Sequence, residues 1–266
     1  MTGEAPSSLA PDAYVDEATR LLSAAGEAGT LLRASGGVAI RMTCPSAQRP
    51  PLLRQYHDID FVARSADGDA LSSFFTSHGY SAEEEFNALH GQRRLCFSGP
   101  EGRWEVDVFL DRIEMCHTLD LRPRLDAVEM TLTMADLLLS KLQVVETNEK
   151  DLQDILAILA DHDVTNSDEG VNRLTIVGVC RGDWGWWRTS TMVAERARMA
   201  AQRYIPGANE TGRAALKRAE RRLSGLIEDI NVAPKSNKWK LRARIGDRAR
   251  WHETPEDIVH TRGEYE

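Results

Sequence analysis

The chain has no apolar run near the ~20 residues that a membrane-spanning helix needs. It has no internal repeat, no low-complexity segment and no Cys-x-x-Cys pair. Its four cysteines, Cys44, Cys96, Cys116 and Cys180, stand far apart. That spacing argues against a zinc ribbon or a disulfide framework and makes a reducing cytoplasm the expected setting. The opening residues, MTGEAPSSLAPDAYVDEA, show no basic stretch leading into an apolar one, so they read as a short mobile arm and not as a secretory signal. Walker A, GxGxxG, GxSxG and HExxH patterns are all missing, which removes the chemistries those motifs carry.

What remains is ordinary in amount and uneven in placement. Of 266 residues, 42% are hydrophobic and 28% charged, as in a globular protein with one large or two modest domains. The net charge is −8, yet residues 181–250 hold 17 Lys/Arg against 7 Asp/Glu. The remainder is therefore strongly acidic. Such segregation suits an acidic part that holds a cation and a basic part that meets a polyanion, or two parts that attract one another.

Tyr14, Ala18, Leu21, Leu22 and Ala25 recur at helical spacing and predict a helix over 12–34. Gly36-Gly37 breaks the chain before an apolar segment, and TCPSAQRPPL is a proline-rich loop. QYHDIDFVA, residues 55–63, reads as a strand. LSSFFTSHGY is a short helix ending at Gly79, and RRLCFSGPEGRWEVDVFL is a hairpin turning at residues 99–102. Thr133 with Asp136 forms a capping-box pattern before TLTMADLLLSKLQVVE. Asn148 interrupts, and EKDLQDILAILADHD follows as a helix with Leu152, Ile155, Leu156 and Leu159 as its core stripe. DWGWWRTS reads as a turn carrying three tryptophans, taken as core or interface residues before a base-stacking platform. Helices follow near 190–204 and 210–229, separated by Pro206-Gly207. KWKLRARI alternates strictly and predicts a strand with one basic face.

The chemistry sits in two short runs. Side chains two apart in a strand share a face, so Asp58 and Asp60 point together while Ile59 and Phe61 point away. WEVDVFL repeats the pattern with Asp107 between two valines. Glu105 and Asp111 compete for the same role, but the flanking valines put Asp107 in mid-strand. If the two strands are neighbours, three carboxylates converge. Like charges this close conflict, and a divalent cation resolves the conflict. Hard oxygen ligands suit Mg²⁺ (or Mn²⁺), and two such ions about 4 Å apart can clamp an in-line displacement at phosphorus. Upstream, Gly36 and Gly37 allow backbone amides to approach a phosphate, at a helix N-terminus or in a nest, unless they form a plain turn. Ser35 adds a hydroxyl.

The series GGVAI, HDIDFV and EVDVF resembles the nucleotidyltransferase fold of the DNA polymerase beta superfamily. The later KLQVVETNEKDLQDIL is similar to the C-terminal motif of AbiEii-type toxin nucleotidyltransferases, with Lys150 where an arginine is common. The resemblance covers residues 15–160. It implies that Ser35, Gly36 and Gly37 hold the triphosphate of an NTP, that Asp58, Asp60 and Asp107 bind metal, and that Asp107 can serve as base. It also gives site roles to Lys141, Asp151 and Asp154. The expected architecture is α+β: a nucleotidyltransferase core with a small mixed sheet flanked by helices over 1–130, a helical extension over 131–165, and a mainly helical basic C-terminal domain over 166–266. The implied reaction is Mg²⁺-dependent transfer of a nucleoside monophosphate from an NTP to an acceptor hydroxyl. The acceptor is RNA (tRNA), as for a toxin paired with an antitoxin protein, or a small molecule such as an antibiotic, or a protein hydroxyl. No membrane partner is expected.

Other readings stand beside this one. Lys141 can be a snorkelling helix residue, and Asp151 with Asp154 can simply favour a helix N-terminus. His57-Asp58 and His162-Asp163 spell the dipeptide of metal phosphohydrolases, but His57 falls in a β-type segment with no upstream histidine. A catalytically inactive module of the same fold, binding nucleic acid or a protein partner, is the non-enzyme alternative.

Overall fold

The computed structural model describes residues 9–254; the expected N-terminal arm lies partly, over residues 1–8, outside the described residues. The fold is α+β, with a small five-stranded mixed sheet flanked by helices. Helix α1 (Pro11–Glu27) buries Tyr14, Ala18, Leu21, Leu22 and Ala25, the stripe its spacing predicts. It is shorter than the 12–34 expected. Gly29 at φ +70° ends it, because Thr30 turns back to bond the Ala25 carbonyl, and Leu32–Ala34 becomes strand β1. Helix α2 (Gly36–Thr43) follows directly.

Strand β2 (Ile59–Ala63) starts later than the 55–63 expected, so Asp58 lies just before it. Helix α3 (Gly68–Ser77) ends before Gly79 as expected. Then come β3 (Ser81–Ala82), α4 (Glu84–His90), and the hairpin of β4 (Arg94–Ser98) and β5 (Glu105–Leu110). The sheet order is β1-β2-β5-β4-β3, and only the central β2–β5 pair is parallel. One face carries Ile59, Phe61, Val106 and Val108, all essentially inaccessible, with Phe75 stacked on Phe97 beneath at 4.4 Å. Alternation sends the intervening residues of β2 and β5 to the other face.

A small ribbon of β6 (Arg112–Glu114) and β7 (Thr118–Asp120) precedes α5 (Met134–Leu142). Thr133 caps α5 by accepting from the Asp136 amide, but the reciprocal bond of a capping box is replaced. The Asp136 carboxylate takes the Thr133 hydroxyl and the Arg124 guanidinium instead. A full capping box does form at α6 (Glu149–Asp161), where Asn148 and Asp151 bond each other's amides. Its predicted stripe of Leu152, Ile155, Leu156 and Leu159 is buried.

After β8 (Val164–Thr165) and β9 (Val171–Asn172) the chain is helical: α7 (Arg173–Gly182), α8 (Trp184–Tyr204), α9 (Glu210–Val232) and α10 (Asn237–Ile245). Two expectations are overturned here. The tryptophan-rich segment is the first turn of α8 and not a turn, because the Asp183 carboxylate accepts from the Gly185 and Trp186 amides and starts the helix. Trp184 and Trp186 are then buried. KWKLRARI is helix α10 and not a strand. Among the described residues no neighbouring strand takes its alternating face, and its residues, mostly Lys, Arg, Leu and Ala, favour helix. Ser236 caps it by accepting from the Trp239 amide, and Trp239 packs edge-on against Trp187 at 5.2 Å.

The hydrophobic core is continuous from Tyr14 in α1 to Ile230 in α9. Much of the basic C-terminal charge is used inside the fold. Arg218 and Arg222 donate to the Leu159 and Ala160 carbonyls at the end of α6, Arg222 also pairs with Asp163, and Arg203 pairs with Glu149. Cations at a helix C-terminus satisfy orphan carbonyls and the helix dipole together. No helix among the described residues is long and apolar enough to cross a membrane.

The Asp183 cap gives a simple check. Asp183→Ala leaves two first-turn amides of α8 without their acceptor and should lower stability by about 1 kcal/mol in urea unfolding.

Candidate metal centre

The parallel register of β2 and β5 sets Asp60 directly beside Asp107. Asp58, just before the strand, turns the same way. One oxygen of each carboxylate lies within 4.8 Å of the others, and this is the one such group among the described residues. Burial grades across the set: Asp58 is exposed, Asp60 half-buried and Asp107 buried. The arrangement fits a hard divalent cation: three carboxylate donors, one of them open to water, with no histidine or thiolate among them. Asp58 and Asp60 open onto a cleft of about 1330 Å³ whose wall also includes Ser35, Gly36, Ser140 and Lys141.

Burial first, then the charges of Asp58 and Asp107, push the Asp60 carboxyl up to about 8, against the pull of Lys141 and Arg94. This is the electrical cost of assembling the site without a cation.

Gly36 and Gly37 serve different neighbours. Gly36 begins α2 at φ +59°, and a β-carbon there would lie 1.9 Å from Oδ2 of Asp60. Gly37 has no unusual backbone, but its β-carbon would lie 1.6 Å from a terminal nitrogen of Arg54. The two glycines therefore let a carboxylate and a guanidinium rest against the first turn of α2. Ser35 is buried, and its amide bonds the Asp60 carbonyl at 2.8 Å, tying β1 to β2. Its side chain does not cap α2, and the first-turn amides meet no side-chain acceptor among the described residues.

Behind the triad lies a second charged group. Asp154 is almost fully buried and accepts from Arg54 Nε and Nη2 at 2.8 and 2.9 Å and from Lys141 Nζ at 2.9 Å. Lys141 also reaches Asp151 at 3.0 Å. Burial opposes charge on both Asp154 and Lys141. The pairing outweighs it, holding the Asp154 carboxyl below the ordinary range and the Lys141 ammonium above its own. Asp151 and Lys141 reach the cleft wall, while Asp154 is enclosed by its two cations. Arg54 stacks on Tyr56 at 4.3 Å.

On the other strand, Arg94 donates from Nε to Asp107 Oδ1 at 3.0 Å and from Nη2 to Oδ2 at 2.6 Å. The Cys96 thiol donates to Oδ1 at 2.8 Å. Sequence reasoning missed Arg54, Arg94 and Cys96. Hairpin register pairs Cys96 with Asp107 and, by alternation, puts Arg94 on the same face, so that pair was within reach. Arg54 lies between the proline-rich loop and QYHDIDFVA and had no local signal.

The phosphohydrolase dipeptides do not assemble. His57 is exposed, and His162 bonds the Thr43 carbonyl at 3.1 Å. Glu105 begins β5, and Asp111 lies past its end, where it accepts from Ser65. No protein-family model matches the sequence, and no curated protein does. The geometry alone carries the functional reading.

Two outcomes test the electrostatics. With metal removed by EDTA, Asp60→Asn should raise the melting temperature. The folded protein binds the Asp60 proton up to about 8, against 3.8 for an ordinary aspartate, so its stability falls as pH rises through that window. The gain from Asn should be largest near pH 8 and vanish towards pH 4, read by thermal scans across pH. Asp154→Ala leaves Lys141 and Arg54 buried without their shared anion and should cost about 3–5 kcal/mol in denaturant unfolding.

Proposed function

We propose that this protein is a metal-dependent nucleotidyltransferase that moves a nucleoside monophosphate from an NTP to an acceptor hydroxyl. The observation that carries the reading is the convergence of Asp58, Asp60 and Asp107, the first two lining a cleft beside the glycine-started N-terminus of α2. Asp58, Asp60 and Asp107 would hold Mg²⁺, whose charge, once bound, would offset that developing on the transferred phosphoryl group. Ser35 and the amides of Gly36 and Gly37 offer donors to an anionic phosphate. Lys141 keeps its charge at the cleft wall because Asp151 and Asp154 fix it there. Asp154 acts through Lys141, as a positioning residue. Asp107, held by its neighbours, would ligate a cation more readily than take the acceptor proton. Asp58 is the most exposed carboxylate of the three.

RNA is the acceptor this reading favours. Arg93, Arg94 and Arg112 line the same cleft as Lys141, which suits a polyanion. The basic 181–250 region contributes less than its charge suggests, since Arg203, Arg218 and Arg222 are engaged within the fold. An antitoxin partner, a small-molecule acceptor and a cytoplasmic setting belong to the same proposal, and the four cysteines, all free and buried, fit a reducing one. The inactive-module reading draws on one observation: Asp107 is already satisfied by Arg94 and Cys96.

Incubation with each radiolabelled NTP, Mg²⁺ and total RNA tests the proposal. Label should pass to RNA with the unmodified protein and fall at least about a hundredfold with Asp58→Ala/Asp60→Ala, the scale for losing transition-state charge stabilisation. Equal labelling by both proteins would sink the metal assignment. No label on RNA, protein or small molecules, together with no NTP–Mg²⁺ binding, would favour the inactive module.

A further inference from the structure

Asp107 is the one carboxylate of the triad whose two oxygens are both taken by protein donors. Oδ1 receives Arg94 Nε and the Cys96 thiol, and Oδ2 receives Arg94 Nη2. A divalent cation sits about 2.0–2.1 Å from such an oxygen when the ion is Mg²⁺. It would take the acceptor position left open on Oδ2, beside Arg94 Nη2, and repel the guanidinium as a like charge. That repulsion weakens the hold of Arg94 on Asp107 once a cation is bound.

Arg94 has somewhere to go. Its side chain is 21% exposed, against 5% for Asp107. It lines the cleft, with the Phe109 ring at 4.9 Å and the Phe86 ring at 5.9 Å. The guanidinium can therefore swing off Asp107 into the cleft while its plane stays in contact with an aromatic face. Lys141 is different: it is fixed by two aspartates and has no such freedom. A planar fork that grips a carboxylate with two parallel bonds grips a phosphate in the same way.

We propose that Arg94 is an exchangeable counter-ion. It neutralises Asp107 while the site holds no cation, leaves when a divalent cation takes Asp107, and then clamps a phosphate of the incoming polyphosphate. The inference rests on the metal-site reading above and adds to it a binding role for a residue on β4. It also gives an order of events, cation before polyphosphate, because only displaced Arg94 is available to the second ligand.

The test uses the full chain and two simple probes, Mn²⁺ alone and inorganic tripolyphosphate. Arg94→Met keeps the aliphatic stem and removes the charge. Relieved of a like charge about 4 Å away, it should bind Mn²⁺ at least about tenfold more tightly than the unmodified protein, measured by titration calorimetry without nucleotide. With Mn²⁺ saturating, the same variant should bind tripolyphosphate at least about tenfold more weakly, the loss expected for a charge-assisted bidentate contact. Arg94→Lys should fall between the two on both counts. A purely structural role cannot produce opposite changes toward the two ligands. In the unmodified protein, the Arg94 Nε–H resonance should shift on adding Mg²⁺ and shift again on adding tripolyphosphate, which gives an answer even if the Met variant fails to fold. Equal Mn²⁺ affinity in both proteins, tripolyphosphate affinity unchanged by Arg94→Met, or a resonance indifferent to Mg²⁺ overturns the Arg94 proposal and leaves the carboxylate site standing. Absence of Mn²⁺ binding to either protein overturns both.

Discussion

The rest of the structure depends on the repulsion between Asp60 and Asp107. Parallel pairing of β2 with β5 forces these carboxylates side by side, and the packing of Ile59, Phe61, Val106 and Val108 on the opposite face prevents either strand from slipping. A one-residue shift would expose that apolar face. The hydrophobic core thus compels a charge conflict that the local environment then manages. Gly36 leaves room for the Asp60 carboxylate against the start of α2, Arg94 sits on Asp107, and Asp58 stays in water.

Around this conflict the cations fall into two kinds. Arg54 and Lys141 are locked onto Asp154 in a nearly dry setting, where geometry is rigid and removal of one partner is costly. Arg94 is half-open and flanked by aromatic rings, so its pairing is reversible. Of the rigid pair only Lys141 lines the cleft, and the reversible one is free to respond to what enters. Sequence distance hides this division, because Arg54 and Asp154 are 100 positions apart.

The elements that bring the three carboxylates together were largely legible in the sequence. Period-2 alternation gave Asp58, Asp60 and Asp107 a common facing, the valines singled out Asp107, and hairpin register put β4 beside β5. Tertiary context set what was not legible. KWKLRARI alternates as a strand does, but alternation specifies a strand only where a partner strand exists, and in residues 237–245 Trp239 instead packs on Trp187 of α8. DWGWWRTS looked like a turn because its tryptophans masked an N-cap aspartate. The helix expected to run to 34 stopped at Glu27, since the left-handed Gly29 outweighed a favourable apolar spacing. Arg54 was beyond reach for a different reason: a loop residue that closes on a distant helix leaves no periodic trace.

Arg218 and Arg222 hold the last carbonyls of α6, the helix that carries Asp151 and Asp154. The acidic end of that helix faces the cleft wall and its other end is gripped by α9. A chain trimmed after residue 166 would keep Asp58, Asp60, Asp107, Asp151 and Asp154 and yet unclamp the helix on which the last two ride. The basic tail of the sequence is, in this sense, an anchor for the acidic half, and modular dissection is the wrong way to take this molecule apart.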